Sequence, residues 1–281
     1  MCEFCHKHGD GKKWYLQAKN YGEDLTGDLR RRRIIDEMLL NSELIEKGFK
    51  LLERIEKAPT FVQVAIKGAM SRRLKRDHFG QVIPIEDLEQ VFGFVNSIVR
   101  VPCMCRWIGS REEVGYCYGL TLGPNGDQFR DILGEMESAY GEGPDTSRLE
   151  EVSPEEALKA IKGHEKEGLC HTIWTIGTPF IGGLCNCDRA DCLAMNASVQ
   201  RGLKTMWRAE YVAEVDEEKC IGCRECMQGC QFGAMAYRAR DENIFIDQRI
   251  CWGCGVCRTF CPHEAITLRP RGEVPVAANV W

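Results

Sequence analysis

The chain has 281 residues and a formal net charge of −5, a length that leaves room for two domains of ordinary size. The net charge is +3 over residues 1–100, −7 over 101–215 and −1 over 216–281, so no region has the basic character of a nucleic-acid-binding protein and we expect no nucleic-acid partner. We also expect no membrane span, because no stretch approaches roughly 18 uninterrupted apolar residues.

The N-terminus contains a short pattern of metal-binding side chains, Cys2-x2-Cys5-His6-x-His8, and three interpretations of it are open. A Cys-x-x-Cys-His motif attaches c-type haem, although attachment requires export and no signal peptide is visible. The cysteines could instead bind a metal together with His6, His8 or distant cysteines. The terminus could also be loose, as termini are unless something ties them down. Cys2 and Cys5 are therefore the weakest of the candidate ligands.

Residues 1–100 are predicted to form a mainly helical region. Apolar side chains recur at helical spacing over residues 23–57, and a second helix is predicted from Phe61 to Arg76. Pro84 begins a third helix whose apolar positions continue to Ile98. The four consecutive arginines at residues 30–33 are interpreted as a solvated helix face, with docking of an acidic partner as the alternative.

Residues 101–214 are predicted to form a cysteine-rich α+β region. Two strands are expected within residues 99–122, followed by a surface loop with one short helix over 123–150. Ser153-Pro-Glu-Glu156 is a capping box that predicts a helix from 154 to about 167. Two strands joined by a turn at Thr178-Pro179 follow, with another strand over residues 208–215. Helix plus hairpin is also typical of a winged-helix DNA-binding unit, which the acidic flanks disfavour.

Residues 215–281 contain the clearest pattern in the chain. Eight of the seventeen cysteines occur in two runs offset by 31 residues, Cys220-x2-Cys223-x2-Cys226-x3-Cys230 and Cys251-x2-Cys254-x2-Cys257-x3-Cys261 followed by Pro262. A cubane iron–sulfur cluster needs four thiolates that converge on a small volume. Glycines between the cysteines allow backbone amides to approach the sulfurs. A pair of zinc ribbons would use two separated Cys-x-x-Cys units instead.

These runs resemble the bacterial-type two-cluster [4Fe–4S] ferredoxin over about residues 215–268. In that family the fourth cysteine of each run ligates the other cluster. The resemblance therefore implies one cluster on Cys220, Cys223, Cys226 and Cys261, and a second on Cys251, Cys254, Cys257 and Cys230. Gln231 stands where the family often has proline. A domain this small is expected to be held together largely by its clusters.

Six further cysteines form two similar short groups, Cys103-x-Cys105 with Cys117 and Cys185-x-Cys187 with Cys192. Residues two apart on a strand share a face, so two adjacent strands could direct four thiolates at one point. We predict a third metal site here, an iron–sulfur cluster in preference to zinc. Cys170 is explained as a buried cysteine without a ligand role.

The whole layout resembles poorly characterised cytoplasmic iron–sulfur proteins of anaerobic bacteria and archaea, in which a cysteine-rich N-terminal region precedes a two-cluster ferredoxin. Seventeen cysteines without an export signal favour a reducing cytoplasm and metal ligation over disulfides.

The sequence thus predicts an α+β electron-transfer protein or subunit that relays single electrons to or from a partner enzyme, within a multi-subunit oxidoreductase. No Gly-x-Gly-x-x-Gly or Walker lysine loop is present, so electrons are expected from a partner. The alternative is an oxidoreductase with a substrate or extra cofactor at an open metal position, for which His171 beside Cys170 could donate a proton. A redox-responsive regulator is the least favoured hypothesis, and no catalytic residue is assigned.

Overall fold

The computed structural model describes residues 1–24, 27–38, 42–123 and 149–281. Helices and β-sheets occur together in these residues, which confirms the α+β class. The predicted loop with a short helix over residues 123–150 lies almost entirely outside the described residues. No helix within the described residues is both long and apolar enough to cross a membrane.

Helices frame the N-terminal part and the flanks of the central sheet. They are α1 Glu3–His8, α2 Leu29–Met38, α3 Ser42–Glu56, α4 Thr60–Asp77, α5 Ile85–Phe92, α6 Met104–Ser110, α7 Pro154–Lys166 and α8 Leu193–Met195. A single π-helical turn, Asn196–Gln200, continues α8. The helices predicted over 23–57 and 61–76 are confirmed as α2 with α3, and as α4.

The start of α7 agrees with the sequence prediction. Ser153 Oγ accepts a hydrogen bond of 3.2 Å from the backbone amide of Glu156, and the Glu156 carboxylate accepts one of 3.0 Å from the backbone amide of Ser153. This reciprocal pair supplies partners for amides that the first helical turn leaves unpaired. The predicted helix beginning at residue 154 is confirmed.

A seven-stranded sheet, in the order β4-β2-β3-β6-β5-β1-β7, organises residues 80–207. Its pairs are antiparallel except for β1 with β7. The strands are β1 Gly80–Val82, β2 Ser97–Val101, β3 Cys117–Thr121, β4 Glu150–Glu151, β5 Cys170–Thr175, β6 Ile181–Cys187 and β7 Met206–Trp207. β5 and β6 are the hairpin expected around Thr178-Pro179. The sheet takes strands from both of the first two predicted regions.

The helix predicted from Pro84 to Ile98 is wrong beyond Phe92. α5 ends at Phe92, Gly93 follows, and Ile98 lies on β2. Helical spacing alone could not place this boundary, but glycine weakens a helix and the β-branched residues of β2 favour a strand. The three-residue strand β1 was also missed, because it is too short for a periodic pattern.

The arginine run on α2 is partly used within the molecule. Arg30 donates a 2.7 Å hydrogen bond to the carbonyl of Arg76 and lies 3.5 Å from the carboxylate of Asp77. The guanidinium of Arg31 lies 3.7 Å from the ring centroid of Phe180. These contacts attach α2 to α4 and to the β5–β6 turn, so the run is more than a solvated face.

The C-terminal part consists of two similar halves. β8 Tyr211–Val215 pairs with β11 Ile266–Pro270, and β9 Met235–Arg238 pairs with β10 Asn243–Ile246. Each cysteine loop leads into a short 3₁₀ helix, Glu225–Gly229 in the first half and Val256–Arg258 in the second. The 31-residue offset predicts a repeat of cysteine loop, short helix and strand, and the structure shows this order twice, each time with a further strand before the loop.

Candidate metal centres

Each ferredoxin-type loop turns on a glycine that passes very close to a backbone carbonyl group of a neighbouring segment. Gly222 and Gly253 have backbone φ angles of 67° and 73°, which residues other than glycine rarely adopt. A Cβ at Gly222 would lie 2.1 Å from the carbonyl oxygen of Glu242, and one at Gly253 would lie 2.0 Å from that of Tyr211. The two halves therefore need glycine at equivalent positions, because both the positive φ angle and the nearby carbonyl oxygen exclude a side chain.

We expect Gly253→Ala to reduce the iron content by about four atoms per chain, the content of one cubane, because the new methyl group collides with β8. Gly233→Ala is the matched control. Gly233 also has a left-handed φ of 67°, but no atom lies within 4 Å of the position that its new methyl group would occupy, so only about 1–2 kcal/mol of backbone strain is expected. Iron analysis beside thermal unfolding checks the pair. Equal iron loss in both variants would show that close packing at Gly253 is unimportant.

The thiols of the first ferredoxin group approach one another around Cys226. Burial raises the pKa of Cys226 to about 11, and the neighbouring thiolates of Cys261, Cys223 and Cys220 act in the same direction. Cys261, unlike the other three, comes from the second cysteine run. Cys261 is thus close enough to influence Cys226 as the two cysteines of the first run do, and the ligand set that the family resemblance implies stays a prediction.

The second ferredoxin group consists of four cysteines that line the same pocket: Cys230, Cys251, Cys254 and Cys257. Burial raises the pKa of Cys254 to about 12, with smaller contributions from Cys251 and Cys230. Burial also raises the pKa of Cys257. Neutral thiols are therefore favoured without metal, and a cluster must displace their protons when it binds. A pocket lined by four thiols fits a cubane.

Backbone amides point at sulfurs in both halves. The amide of Ala234 donates to Cys230 Sγ at 3.3 Å, and the amide of Ala265 donates to Cys261 Sγ at the same distance. Hydrogen bonds to cysteine sulfurs help to set the reduction potential of an iron–sulfur cluster. The fourth cysteine of each run therefore has an equivalent environment.

The six cysteines of the two short sequence groups also lie together. We call this group the six-thiol ring: Cys103, Cys105, Cys117, Cys185, Cys187 and Cys192. The Sγ atoms of Cys103 and Cys117 are 3.4 Å apart, and those of Cys187 and Cys192 are 3.3 Å apart. The ring is assembled from the start of α6, from β3 and β6, and from the residue that precedes α8.

Further contacts between thiols connect the members of the six-thiol ring in the order Cys103, Cys117, Cys185, Cys187, Cys192 and Cys105. Cys185 lies directly opposite Cys117 in the sheet, and hydrogen bonds from Cys117 and Cys187 lower the pKa of Cys185 to about 6. A hydrogen bond from Cys105 likewise lowers the pKa of Cys192. The pKa values of the other four thiols, Cys103, Cys105, Cys117 and Cys187, are raised, so a metal would have to displace their protons when it binds.

The prediction that Cys103 and Cys105 share one strand face is wrong. β2 ends at Val101, Cys103 caps α6, and Cys105 lies within that helix. Positions two apart on a helix face different directions. Cys103 consequently contacts Cys117 on one side, whereas Cys105 reaches Cys192 on the other. The helical turn thus contributes two thiols to separate parts of the ring.

Arg106 is a buried cation beside the six-thiol ring that was not among the residues predicted from the sequence. Its guanidinium donates to Cys103 Sγ at 3.5 Å and to the carbonyl oxygen of Asn186 at 3.3 Å, and it also pairs with Asp188. The side chain is only 2% exposed. A buried guanidinium compensates negative charge, so it fits a group of metal-bound thiolates. Its position next to Cys105 was the available sequence signal.

Cys170 lies between the six-thiol ring and the second ferredoxin group. It is fully buried on β5, opposite Cys187 on β6, and its Sγ is 3.9 Å from Met195 Sδ. Burial raises the pKa of its thiol, and the nearby thiolates of Cys254 and Cys192 add to that rise. Cys170, Cys187, Cys192 and Cys254 belong to one continuous apolar core.

Gln231, the residue that replaces the family's common proline, joins the ferredoxin part to the sheet. Its Nε2 donates a 2.9 Å hydrogen bond to the carbonyl of Gly168, and its Oε1 accepts one of 3.2 Å from the backbone amide of Arg189. Proline has no side-chain donor or acceptor and could make neither contact. Gly168 lies just before β5, and Arg189 follows Cys187 by two positions.

We expect Gln231→Ala to speed hydrogen exchange of the Arg189 amide about fivefold, the effect of losing a hydrogen bond worth about 1 kcal/mol. Gln248→Ala is the control, because Gln248 bonds to Ala213, within the ferredoxin part. Amide exchange followed by mass spectrometry or NMR checks this. Unchanged Arg189 exchange in Gln231→Ala would contradict the assigned contact.

His171 occupies a closed position. It is fully buried, its Nδ1 lies 2.6 Å from Asn186 Oδ1, and its Nε2 lies 3.3 Å from a carboxylate oxygen of the buried Glu165. Glu165 accepts a hydrogen bond of 3.3 Å from Thr259 in the ferredoxin part. The Nδ1 contact and the complete burial suit a structural histidine better than a proton donor to an external substrate, although the approach of Nε2 to Glu165 lacks hydrogen-bond geometry.

Cys2 and Cys5 are fully buried at the start of the chain, around α1, so the terminus is attached to the core. The side chain that joins their group is Glu210, whereas His6 is exposed and His8 is half-buried. Glu210 carries no signal in the sequence, because it lies 208 residues from Cys2 and belongs to no motif.

Residues 213–268 match the family model described as a 4Fe-4S dicluster domain. No curated protein matches the chain. With the cysteine geometry described above, the match identifies the C-terminal part as a ferredoxin-type iron–sulfur domain. The chain therefore carries a module for iron–sulfur electron transfer.

Proposed function

We propose that the chain is an electron-transfer protein or subunit in which two [4Fe–4S] clusters and a third iron–sulfur centre form one path. The first cluster uses Cys220, Cys223, Cys226 and Cys261, the second uses Cys230, Cys251, Cys254 and Cys257, and the third centre uses the six-thiol ring. The observation that carries this proposal is the apolar core that runs from Cys254 past Cys170 to Cys192.

Exposure supports an order for this path. Cys223 is exposed and its neighbour Ile221 is 63% exposed, so the first cluster would lie nearest the surface. Cys251, Cys254 and Cys257 are buried, so the second cluster would lie inside, next to the six-thiol ring. A redox partner would therefore dock around Ile221 and exchange electrons with the first cluster.

The spacing of the six-thiol ring supports a cluster in preference to zinc. A tetrahedral zinc ion binds sulfurs at about 2.3 Å and so needs four of them within about 4 Å of one another. Among the described residues, no three thiols of the ring lie within 4.8 Å of one another as a group. Thiols that contact in succession suit a polynuclear centre, in which different cysteines bind different metal atoms.

The N-terminal region is proposed as a relay and docking module that is fused to the ferredoxin-type domain, as in the iron–sulfur proteins of anaerobes that the layout resembles. We place the protein in the cytoplasm, within a multi-subunit oxidoreductase. A chain with seventeen cysteines, most of them proposed here as metal ligands, suits a reducing compartment in which thiols are not oxidised to disulfides.

Purification from the native source under anaerobic conditions tests this proposal. We expect a stable complex with a flavin- or molybdenum-containing enzyme, whose substrate reduces the clusters of this chain at a catalytic rate. Isolated chain that turns over a small molecule with an artificial reductant alone would contradict the relay function and support the enzyme alternative.

One observation favours the enzyme alternative. Cys105, Cys117 and Cys185 are only half-buried, so one side of the six-thiol ring approaches the surface where a small molecule could reach a metal. Six thiols also exceed the four that a cubane requires. The complete burial of His171 leaves this alternative without the proton donor that the sequence offered.

A further inference from the structure

A second kind of metal-binding group lies at the N-terminus, away from all fourteen cysteines discussed as cluster ligands. Cys2, Cys5 and Glu210 place their ligand atoms within 4.8 Å of one another. Both thiols are fully buried and Glu210 is 6% exposed. None of the three has a part in the electron path, so this group is independent of the proposed function.

The distances within the group are close to those around a tetrahedral metal ion. The Sγ atoms of Cys2 and Cys5 are 3.5 Å apart, and Glu210 Oε1 is 2.9 Å from Cys5 Sγ. Zinc bonds of about 2.3 Å to sulfur and about 2.0–2.2 Å to oxygen place such ligand atoms roughly 3.4–3.8 Å apart. Shifts of a few tenths of an ångström to about one ångström would therefore admit the ion.

A fourth oxygen is held beside the group. Gln81 Oε1 lies 3.8 Å from Cys2 Sγ, while Gln81 Nε2 donates a 3.0 Å hydrogen bond to the carbonyl of Arg208. The indole of Trp14 donates to the same Gln81 oxygen. These bonds fix the amide with its oxygen toward the thiols, as outer contacts commonly orient the ligands of a metal.

The scaffold around the group is rigid. Cys2 and Cys5 are three positions apart, so they lie on one side of α1. Phe4 packs between aromatic rings, with centroid distances of 5.2 Å to Trp14 and 4.5 Å to Trp207. The thiols are thus held in place by a packed core and not by a mobile terminus.

The charges around the group are compatible with a bound cation. A buried carboxylate is costly unless a cation or hydrogen-bond donors compensate it. Glu210 accepts a 3.0 Å hydrogen bond from the Cys2 amide, and the amino group of Met1 lies 3.9 Å from its other oxygen. A divalent ion bound to two thiolates and this carboxylate leaves one net negative charge, because the two thiol protons leave on binding, and the amino group of Met1 lies beside that charge.

We propose that Cys2, Cys5 and Glu210 bind one Zn²⁺ ion, with Gln81 Oε1 as the fourth ligand. The ion joins α1 to the residue that precedes β8, the first strand of the ferredoxin-type domain. Its role is structural, since four protein ligands leave no open position.

The zinc content of the cluster-loaded protein tests this proposal. Protein is incubated with Zn²⁺, desalted and analysed for zinc and iron by mass spectrometry. We expect wild type to hold one more zinc per chain than the Cys2→Ser/Cys5→Ser variant, with equal iron in both. Cys170→Ala is the matched control, a buried cysteine outside the group, and should retain the wild-type zinc content. Equal zinc in wild type and in the double variant, or none in wild type, would overturn the proposal.

X-ray absorption at the zinc edge supplies a readout that does not depend on a variant folding. We expect two sulfur neighbours at about 2.3 Å and two oxygen neighbours at about 2.0–2.2 Å. A shell of four sulfurs would place the zinc at other cysteines and overturn the assignment.

Discussion

Replacing both Cys117 and Cys185 by serine is expected to lower the iron content from about twelve to about eight atoms per chain, with the same loss of acid-labile sulfide. The two residues lie opposite each other on β3 and β6, and each hydrogen-bonds to a further thiol of the six-thiol ring. The double substitution therefore removes two adjacent thiols of the six-thiol ring. The two ferredoxin clusters do not use these thiols and should remain.

Cys170→Ala is the matched control for the ring. Cys170 is buried next to the ring but contacts Met195 and not a ring thiol within hydrogen-bond distance. We expect this variant to keep about twelve iron atoms. About eight iron atoms in the wild-type protein, or zinc that disappears from the Cys117→Ser/Cys185→Ser variant, would contradict the third iron–sulfur centre.

Two double variants of the ferredoxin cysteines are expected to differ in iron content by the four atoms of one cluster. Cys226→Ser/Cys261→Ser removes two ligands from one proposed cluster, so the loss is about four iron atoms. Cys257→Ser/Cys261→Ser removes one ligand from each cluster, so the loss is about eight. The reason is that the fourth cysteine of each run is proposed to bind the cluster of the other run, which the proximity of Cys226 to Cys261 supports.

If all four ligands of each cluster came from a single cysteine run, the iron losses of these two variants would be ranked in the opposite order. Cys230→Ser/Cys257→Ser serves as a second matched pair, since both residues line one pocket and should cost one cluster. Iron and sulfide analysis of anaerobically reconstituted protein measures all three. A greater loss in Cys226→Ser/Cys261→Ser than in Cys257→Ser/Cys261→Ser would contradict the exchange.

The ferredoxin-type part could be predicted closely from the sequence, because its chemistry is local. Three ligands of each cluster come from one short loop, and Gly222 and Gly253 mark the turns that the loops require. The family resemblance also implied the long-range partner, Cys261 for the first group. What the sequence did not show is the use of Gln231, whose contacts with Gly168 and Arg189 depend on how the domain lies against the sheet.

The other sites depend on tertiary contacts, and there the sequence was a weaker guide. The pairing of two short cysteine groups was enough to predict that they meet. It was not enough to show that Cys105 lies on a helix, because a seven-residue helix after Pro102 has no long periodic pattern. Glu210 could not be assigned at all, since only the fold places it beside Cys2 and Cys5.

The proposed path requires electrons to pass between the ferredoxin clusters and the six-thiol ring. Reductive titration of the intact protein, followed by electron paramagnetic resonance, is the decisive test. We predict three one-electron steps, with magnetic coupling between the third centre and the cluster held by Cys254, and loss of that coupling in Cys117→Ser/Cys185→Ser. Two coupled clusters with no third reducible centre would contradict the claim.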